Sequence, residues 1–495
     1  MALTSKILTL SGRDFMRGMN SGQFFNDGFF SSNISRGINL INKPGAIYPQ
    51  QIATDITPSS PGRFAAGCKG GGASPGLGYK NNYFVTETGK FYSYNGTFLN
   101  NEVNGTSIYN NPKSDIIFYK EAVYATSNSN ITLSAMSGYS IISVNETWWT
   151  STRGHISLSN VVPHPMLVFE DILWIADGLN LHKWDNTLST PNALILTDDQ
   201  NITALAIEPG SGRMMIATTQ GANGSGTLPR INKIALWDGF SNKVLRSVIV
   251  DDMITAMYAV GGTVYITYGL NLGYWNGSGI TFLRKLSKIL GYSGLNLAYK
   301  QKITSQGNRL YVVDGTLVIS YHSIIGSSPK VFYYAFGQTT NLINQVGSLN
   351  LIIDLGEDKL AISYIGNGVS YFFVVNMVNA VDAAVANSGS VSWTTEFFIL
   401  DKPVIIRKIR IFYTSPIPPT VSPVGIIVSS SDQMEDVVFE YTSNNFLTEP
   451  QSVLDYIPRS SSKKELEDFS LRIVDGNSAY SAGIRKVQVY YDFVE

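Results

Sequence analysis

The residue types that carry most metal and redox chemistry are few and scattered in this chain. Its histidines, His155, His164, His182 and His322, lie far apart without metal-ligand spacing, and Cys68 is the single cysteine. A structural zinc site needs four grouped His or Cys ligands, so this pattern argues against zinc. A lone cysteine also excludes an internal disulfide. The sequence therefore predicts neither a metal nor a cofactor.

The patterns that would mark an enzyme are also missing. The segment Gly72–Gly76, GASPG, matches a nucleophile elbow only by its letters. An elbow needs a strand before the serine and a helix after it, whereas here glycines surround the segment and Pro75 follows the serine. Acidic pairs such as Asp198–Asp199 and Asp251–Asp252 are ordinary turn composition. We expect no catalytic residues.

The composition favours a folded protein made of short strands. The chain has 495 residues, enough for two to four domains, and only 15% of them are charged. Asn, Ser, Thr, Gly and Tyr are plentiful, which suits strands and polar turns better than long surface helices. Lys and Arg number 36 against 37 Asp and Glu. A chain so near neutrality has no global basic field for gripping nucleic acid.

A repeated unit occupies the middle of the chain. The stretch Val264–Gly277, VYITYGLNLGYWNG, shows it clearly: two alternating runs meet at a glycine turn and end on an aromatic residue, Asn and Gly. The unit occurs seven times, the first copy being Gly78–Gly96 and the last beginning at Leu351. The closing aromatics are Tyr94, Trp184, Trp237, Trp275, Tyr321 and Phe372.

The spacing of these landmarks predicts a β-propeller over residues 61–390. A mean period of about 45 residues is that of a four-stranded propeller blade. One small antiparallel sheet cannot bury both of its faces, and radial stacking covers each face with the next blade. We therefore expect an all-β fold with about seven irregular blades. A β-sandwich or a β-solenoid with coincidental spacing is the alternative.

One segment within the repeats has a helical pattern. In Thr281–Gly291 the apolar residues Phe282, Leu286 and Ile289 fall on one helical face, and basic residues lie opposite. Gly291 would end the helix. The pattern predicts a short helix between two blades.

The chain after residue 390 has a different self-similarity. Ile406–Tyr413, IRKIRIFY, returns as Ile484–Tyr491, IRKVQVYY, and both alternate apolar with polar residues. We expect a C-terminal antiparallel β-sandwich over residues 391–495. Its basic residues form a candidate interface, although solvated strand residues would give the same pattern. They are Arg407, Lys408, Arg410, Arg485 and Lys486.

Residues 1–60 have no long periodic run. They mix aromatic residues with Gly, Asn and Pro, and are too apolar for a solvated linker. We expect an extended N-terminal arm that packs on its own propeller or on a neighbouring subunit. Exposed aromatic clusters mark contacts, so Phe24, Phe25, Phe29 and Phe30 are candidate interface residues. Packing against their own domain is the alternative.

These three regions together resemble the β-propeller proteins of tailed-bacteriophage virions, especially those of the tail nozzle or distal tail tube. Such families commonly open with a Gly/Asn-rich arm that runs into a KPG-like turn, matched here by Lys43, Pro44 and Gly45. The resemblance is architectural, covers most of the chain and depends on no single diagnostic motif. WD40 and kelch signatures are not matched.

The resemblance implies a structural subunit, not an enzyme. It would form a homo-oligomeric ring, six-fold if the protein is a nozzle, and bind adjacent tail and adaptor proteins. DNA would pass through without sequence-specific binding, as the near-neutral charge allows. The protein would be assembled in the host cytoplasm, would not be embedded in a membrane, and would reside in the virion tail.

Two other functions remain open on sequence grounds. A tail-tip adhesin could bind carbohydrate through exposed aromatic residues, and Trp148 and Trp149 are its best candidates. Burial of both tryptophans in a β-core would remove that hypothesis. The third possibility is a polysaccharide-cleaving propeller with carboxylates around its central channel.

Overall fold

The structure is a computed structural model of the chain. It describes residues 6–11, 32–36, 38–39, 48–49, 54–58, 64–69, 82–86, 91–94, 99–103, 115–120, 122–128, 139–145, 156–158, 164–185, 189–196, 200–220, 231–286, 303–307, 309–314, 317–322, 330–334, 347–356, 359–366, 369–376, 391–395, 398–417, 425–430, 437–441, 450–458, 465–475 and 483–494. Within these ranges all regular elements are strands, so the expected all-β class is confirmed.

Five short strands lie in the N-terminal region. They are β1 (Lys6–Ser11), β2 (Ser32–Arg36), β3 (Ile38–Asn39), β4 (Tyr48–Pro49) and β5 (Thr54–Asp55). The chain divides into two compact units. We call residues 55–316 and 347–374 the central unit, and residues 1–54, 317–346 and 375–495 the terminal unit.

Among the described strands, seven four-stranded sheets follow one another in chain order, matching the number of predicted repeats. The first three are β6 (Phe64–Cys68), β7 (Asn82–Thr86), β8 (Phe91–Tyr94), β9 (Leu99–Val103); β10 (Ile116–Tyr119), β11 (Ala122–Asn128), β12 (Tyr139–Asn145), β13 (Ile156–Leu158); and β14 (Met166–Phe169), β15 (Ile172–Asp177), β16 (Asn180–Trp184), β17 (Ser189–Ile195). The fourth and fifth are β18 (Gln200–Ile207), β19 (Met214–Gln220), β20 (Asn232–Trp237), β21 (Arg246–Val250); and β22 (Ile254–Val260), β23 (Thr263–Tyr268), β24 (Asn271–Trp275), β25 (Ile280–Lys285).

The last two sheets differ in where their strands come from. The sixth is β26 (Ile303–Gln306), β27 (Arg309–Asp314), β28 (Leu317–His322) and β29 (Lys330–Tyr334). The seventh is β30 (Gly347–Gly356), β31 (Lys359–Gly366) and β32 (Val369–Asn376), with β5 from the N-terminal region as its fourth strand. Beyond β5, the Ile56 N–H donates to the Phe372 carbonyl at 3.0 Å, and the Phe372 N–H donates to the Thr57 hydroxyl at 2.7 Å.

The first repeat starts earlier than its sequence indicated. The copy placed at Gly78–Gly96 contains the second and third strands of its sheet, and the first strand is β6. The run FAAGC in β6 lacks the alternation that identifies a half-buried strand. Cys68 is accordingly a half-buried strand residue.

Tight turns connect the first two strands of several sheets. Glu170 and Asp171, between β14 and β15, have φ of 51° and 57°. Gly261 and Gly262, at the same point of the fifth sheet, have φ of 58° and 80°. Two-residue loops with positive φ at both positions match the twist of antiparallel strands. This explains why short polar or glycine pairs punctuate the repeats.

A β-bulge occurs in the first strand of both the fourth and the fifth sheet, and the same three residue types form it in each. The register shifts between Ile202 and Ala204 in β18, and between Ile254 and Ala256 in β22. The residues in between are threonines, so both bulges read Ile-Thr-Ala. Buried Thr255 lies with its hydroxyl 2.9 Å from that of Thr267 on β23. The bulge bends the strand, and the threonine satisfies its own polar group within the sheet.

Apolar cores lie between neighbouring sheets. One core joins the third and fourth sheets and contains Trp174, Leu181, Ile216 and Trp237. Similar cores join the second sheet to the third, the fourth to the fifth, and the first to the seventh. All six closing aromatics lie on the third strand of a sheet, as the repeat predicted. Buried Trp184, for example, donates from Nε1 to the Tyr124 hydroxyl of the second sheet at 3.2 Å.

The first strands of the seven sheets contact one another in chain order. Each of β6, β10, β14, β18, β22 and β26 contacts the first strand of the following sheet, and β30 contacts β6. Side-chain hydrogen bonds also connect the seventh sheet to the first and to the sixth. Asp354 on β30 accepts from Lys69 of the first sheet at 2.9 Å and from Gln306 of the sixth at 3.1 Å.

The terminal unit contains a nine-stranded sheet. Its other strands are β33 (Val391–Thr395), β34 (Phe398–Ile417), β35 (Gly425–Ser429), β36 (Val437–Tyr441), β37 (Gln451–Pro458), β38 (Leu466–Asp475) and β39 (Ile484–Phe493). The order is β1-β39-β34-β37-β36-β35-β38-β33-β2, and β34 also pairs with β38. Because the long strand β34 pairs with both β37 and β38, five strands close on themselves.

The predicted helix at Thr281–Gly291 is wrong over its first half. Residues 280–285 form β25, paired with β24, and Leu286 follows it as a buried residue. The helical spacing of the apolar residues is overridden because the fifth sheet needs a fourth strand at this point. Residues 287–291 lie outside the described ranges. In the described ranges, no helix is long and apolar enough to span a membrane.

Candidate interface on the C-terminal sheet

Two adjacent strands of the terminal unit carry the predicted basic cluster. Arg407, Lys408 and Arg410 lie on β34, and Arg485 and Lys486 lie on β39. These strands pair antiparallel, so the fold brings two distant basic segments side by side.

Strand alternation divides these residues between two sides. On β34, Ile409 and Ile411 are buried, whereas Lys408 and Arg410 between them are half-buried and point away from the core. On β39, the same alternation gives buried Val487 and Val489 against outward Lys486, Gln488 and Tyr490. The apolar residues that alternate in the two repeated segments are therefore the buried ones, apart from Tyr491, which is half-buried.

The outward residues form three rows across β1, β39, β34 and β37, which we call the outer face. The first row is Ser11, Lys486, Phe412 and Val453; the second is Thr9, Gln488, Arg410 and Asp455; the third contains Ile7, Tyr490 and Lys408. Ile457 lies two residues beyond Asp455 on β37 and therefore shares its side.

The middle row is a polar network. Arg410 donates to both oxygens of Asp455, from Nε at 2.6 Å and from an Nη at 2.8 Å, and Lys408 lies 3.5 Å from the same carboxylate. The hydrogen bonds from Arg410 lower the pKa of Asp455 despite its partial burial, and those to Asp455 raise the pKa of Arg410. A bidentate Arg–carboxylate pair has a fixed geometry, so the centre of the face is rigid.

The flanking rows combine cations with aromatic rings and exposed aliphatic groups. The Lys408 ammonium lies 4.6 Å from the ring centre of Tyr490, and the Lys486 ammonium lies 4.9 Å from that of Phe412. Such contacts hold a cation over the electron-rich face of the ring. Ile7 and Ile457 expose 51% and 43% of their surface beside these pairs.

The charges of the outer face do not cancel. Lys408, Arg410 and Lys486 supply three positive charges, and Asp455 supplies one negative charge, so these four residues carry a net charge of +2. Aromatic residues, Arg and exposed aliphatic groups are characteristic of protein interfaces. Chemically the face can bind an acidic, partly apolar surface. It offers no nucleophile and no general base.

The other two predicted basic residues are not part of this face. A register shift lies between Ile406 and Lys408, and Arg407 donates from Nε to Asp492 at 2.7 Å. Arg485 is exposed, and alternation places it on the opposite side of β39 from Lys486. The cluster that looked continuous in sequence is therefore split.

Sequence reasoning missed several members of the outer face. Ile7 and Thr9 come from the N-terminal region, and Asp455 comes from β37, which no repeat connects to the basic segments. Phe412 and Tyr490 were within reach, because they alternate with the inward residues of the two repeated segments. The other predicted interface residues, Phe24, Phe25, Phe29 and Phe30, lie outside the described ranges, as do Trp148 and Trp149.

The structure brings together two histidines that are distant in sequence. His164 and His182 are both buried, and each has a ring nitrogen 3.6–3.7 Å from a different oxygen of Asp177. The backbone N–H of Asn192 donates to Nδ1 of His182 at 3.1 Å, which leaves the proton on Nε2. In the described part of the chain, no three His, Cys, Asp or Glu residues are grouped so that they could hold a metal ion.

Comparison with known proteins gives no family for the chain. No protein-family model matches it, and no curated protein matches it. Two similar solved structures are the computationally designed Ika8 protein, with 11% identity and a TM-score of 0.39, and the Dos1 propeller, with 10% identity and a TM-score of 0.41. Each match covers 66% of this chain, and they cover 100% and 95% of the respective structures. Because both TM-scores are below 0.5, the fold is described from its own strand pairing and not from these matches.

Proposed function

We propose that this chain is a structural subunit of a bacteriophage tail, of the nozzle or tail-ring type. Copies of the chain form a ring, six-fold in a nozzle, and the ring binds neighbouring tail and adaptor proteins. The observation that carries the proposal is the outer face, where lysines over aromatic rings lie among exposed aliphatic side chains on a rigid sheet. The tail assignment itself comes from the architectural resemblance of the sequence.

We also propose the finer fold that this role requires. The seven sheets form a closed seven-bladed propeller, and the terminal sheet folds as a sandwich. The contact between β30 and β6 supports closure, as does β5, which supplies the last strand of the seventh sheet. Closing a ring with one strand from the opposite end of the chain protects the sheet edges.

The charge of the chain is consistent with a passive DNA path. Lys and Arg number 36 and Asp and Glu 37, so the whole subunit is near neutral. Every phosphate contact adds affinity, and a conduit works only when DNA can leave it. The role proposed from the resemblance is structural, without catalysis, with assembly in the host cytoplasm and residence in the virion tail.

Electron microscopy and mass photometry of the purified full-length chain test this proposal. We expect ring particles with rotational symmetry. Lys408→Glu with Lys486→Glu should weaken assembly by about tenfold or more, because like-charge contacts with an acidic partner surface are penalised. Lys402→Glu is the matched control, since Lys402 is an exposed residue of β34 beyond the outer face, and it should leave assembly unchanged.

Four outcomes would contradict parts of the proposal. A monomer at all concentrations removes the ring, and rings that are insensitive to both lysine changes remove the outer face from the contact. Specific binding on a glycan array would favour the carbohydrate-binding alternative, and release of reducing sugar would favour the enzyme.

A further inference from the structure

An exposed asparagine–glycine pair lies in a hairpin loop of the fifth sheet. The loop is residues 276–279, NGSG, between β24 and β25, and Trp275 pairs with Ile280 at its base. Asn276 and Gly277 are both exposed, and a Cβ atom added to Gly277 would meet nothing within 4 Å. Asparagine followed by glycine is chemically labile, because no side chain hinders attack of the glycine nitrogen on the asparagine amide carbon. The loop therefore presents both groups of a deamidation reaction to solvent.

The attacking nitrogen has no competing role in the fold. Among the described residues, the Gly277 N–H donates no hydrogen bond, whereas the Gly277 carbonyl accepts from Nη1 of Arg246 at 3.4 Å. Gly277 has φ of 91°, a conformation that residues with a side chain rarely adopt. The nitrogen can therefore lose its proton to hydroxide without breaking a hydrogen bond of the sheet.

The side-chain carbonyl of Asn276 is already surrounded by hydrogen-bond donors. The backbone N–H groups of Ser278 and Gly279 donate to Oδ1 at 3.0 and 2.9 Å, and the Ser278 hydroxyl donates to the same atom at 3.0 Å. Attack on the amide carbon moves the C=O electron pair onto Oδ1, so negative charge develops where these donors point. Donors that are in place before the reaction lower the barrier to such a step.

The departing amine also has a hydrogen-bond partner. Nδ2 of Asn276 donates to the hydroxyl of Thr281 at 3.0 Å. A hydroxyl can also donate, so this group can supply a proton to the nitrogen when the C–N bond breaks and recover one from solvent. The loop thus contains a nucleophile, donors for the oxyanion and an acid for the leaving group.

We propose that Asn276 is a site of spontaneous deamidation that its own loop promotes. The deprotonated nitrogen of Gly277 attacks Cγ, ammonia leaves, and a cyclic imide forms. Water then adds to Cγ, the bond between Cγ and the nitrogen breaks, and the nitrogen recovers its proton. The net reaction consumes water, releases ammonia and converts residue 276 to an aspartate, without any oxidant or reductant.

The same donors influence which product forms. Attack of water on Cγ of the imide gives ordinary aspartate, whereas attack on the backbone carbonyl carbon gives isoaspartate. The donors from Ser278 and Gly279 polarise the Cγ carbonyl. Ordinary aspartate is therefore favoured over the share that the unfolded chain would give.

The fourth sheet shows that an aspartate fits a loop of this kind. Asp238 follows the closing residue Trp237 and precedes a glycine, as Asn276 does in the fifth sheet. Oδ1 of Asp238 accepts from the N–H groups of Phe240 and Ser241, two and three residues further on, at 3.0 and 2.8 Å. The hydrogen bond from the Ser241 hydroxyl, followed by these backbone bonds, lowers the pKa of Asp238 to about 2. The equivalent donors in the fifth sheet would stabilise the charged product.

Deamidation changes the charge of this loop. It adds one acidic group to the 37 present, so the formal net charge of the chain goes from −1 to −2. The new carboxylate lies one residue from the Gly277 carbonyl that Arg246 contacts. The folded protein therefore ages into two charge forms. This inference does not depend on the proposed function.

Incubation of the purified full-length chain, folded and in urea, tests the inference. Mass spectrometry of the peptide that contains residue 276 follows conversion of the amide to the acid. We expect Asn276 to deamidate at least about tenfold faster in the folded chain than in urea, because only the folded loop aligns the donors. A folded rate equal to or below the rate in urea would overturn the inference.

A substitution within the loop isolates one donor. Ser278→Ala removes the hydroxyl and keeps both backbone donors, and it should slow deamidation of the folded chain by about two- to tenfold, the range of one net hydrogen bond. Ser247→Ala is the matched control, since it removes an exposed hydroxyl from β21, outside the loop, and should leave the rate unchanged. If the Ser278→Ala chain reacts as fast as the wild type, the donors do not promote the reaction.

The product ratio gives a readout that exposure of the pair alone would not change. Electron-transfer fragmentation distinguishes aspartate from isoaspartate at residue 276. We expect a larger share of aspartate from the folded chain than from the chain in urea, because the donors polarise the Cγ carbonyl only in the folded loop. Equal shares from both would contradict the selection of the product by the loop.

Discussion

The fourth sheet of the central unit and the C-terminal sheet are both antiparallel, but they bury their residues differently. In β19, MMIATTQ, six consecutive residues are buried, because the third sheet covers one side and the fifth covers the other. In β39, buried Val487 and Val489 alternate with half-buried residues, because only one side faces a core. A strand covered on both sides is buried throughout, and a strand covered on one side alternates buried with more exposed residues. The open side is then free to carry interaction chemistry.

The central unit and the outer face also use polar residues differently. In the central unit, polar groups such as Asp115 and Thr255 are buried and bonded to backbone or to one another. On the outer face, Arg410 and Asp455 pair at the surface, each with about a third of its side chain exposed. Loss of a buried partner leaves an unsatisfied group, whereas solvent replaces a surface partner. The predicted effects of substitution follow this difference.

The largest effect is expected at the core between the third and fourth sheets. Trp237 is 1% exposed and meets Trp174 edge to face at a ring distance of 5.1 Å. Trp237→Ala should lower the free energy of unfolding by about 3–5 kcal/mol through lost burial and a cavity. Urea unfolding followed by circular dichroism measures this loss. Phe240→Ala, three residues away and exposed, should change stability by less than about 0.5 kcal/mol; similar losses for both would contradict the assigned core.

A smaller effect is expected at a buried carboxylate between the second and third sheets. Asp115 is fully buried and accepts from the backbone N–H groups of Ile116 and Met166, each at 2.8 Å. Asp115→Ala leaves both donors without this acceptor and should cost about 2–4 kcal/mol. Asp115→Asn keeps one acceptor oxygen and should cost less. If both variants match the wild type in urea unfolding, Asp115 does not connect these sheets.

The smallest effect is expected on the outer face and depends on pH. The pKa of Asp455 is below its ordinary value of 3.8 in the folded protein, mainly through the hydrogen bonds from Arg410. The ionised carboxylate therefore stabilises the fold above pH 3.8, and this contribution is lost as the pH falls through the lowered pKa. At pH 7 Asp455→Asn should be slightly less stable than the wild type, and the difference should vanish in acid. A difference that stays constant down to pH 2 would contradict the pairing.

Local sequence patterns predicted most of the repeating architecture. The closing aromatics, from Tyr94 to Phe372, identify the third strand of each marked sheet, because a bulky side chain there packs between neighbouring sheets. Alternation in the two IRK segments predicted which residues of β34 and β39 face the core. These features depend on residues close together in the chain, so they can be read from spacing alone.

Other features depend on distant partners and were missed. The apolar spacing of Thr281–Gly291 fits a helix, but pairing with β24 makes its first half a strand. β1 and β5 have no distinctive pattern, and they become strands only because β39 and β32 offer edges. The approach of His164 and His182 to Asp177 depends on a hairpin and a register shift.

The sequence by itself determined the all-β class, the number of repeated sheets and the inward and outward sides of the C-terminal strands. These properties follow from side-chain period and turn composition, which act within a few residues. Only the tertiary structure decided which surfaces stay open. The outer face exists because β1 and β37 flank the basic strands. Whether a side chain is buried depends on the residues packed against it. Where those residues are distant in sequence, only the tertiary structure brings them together.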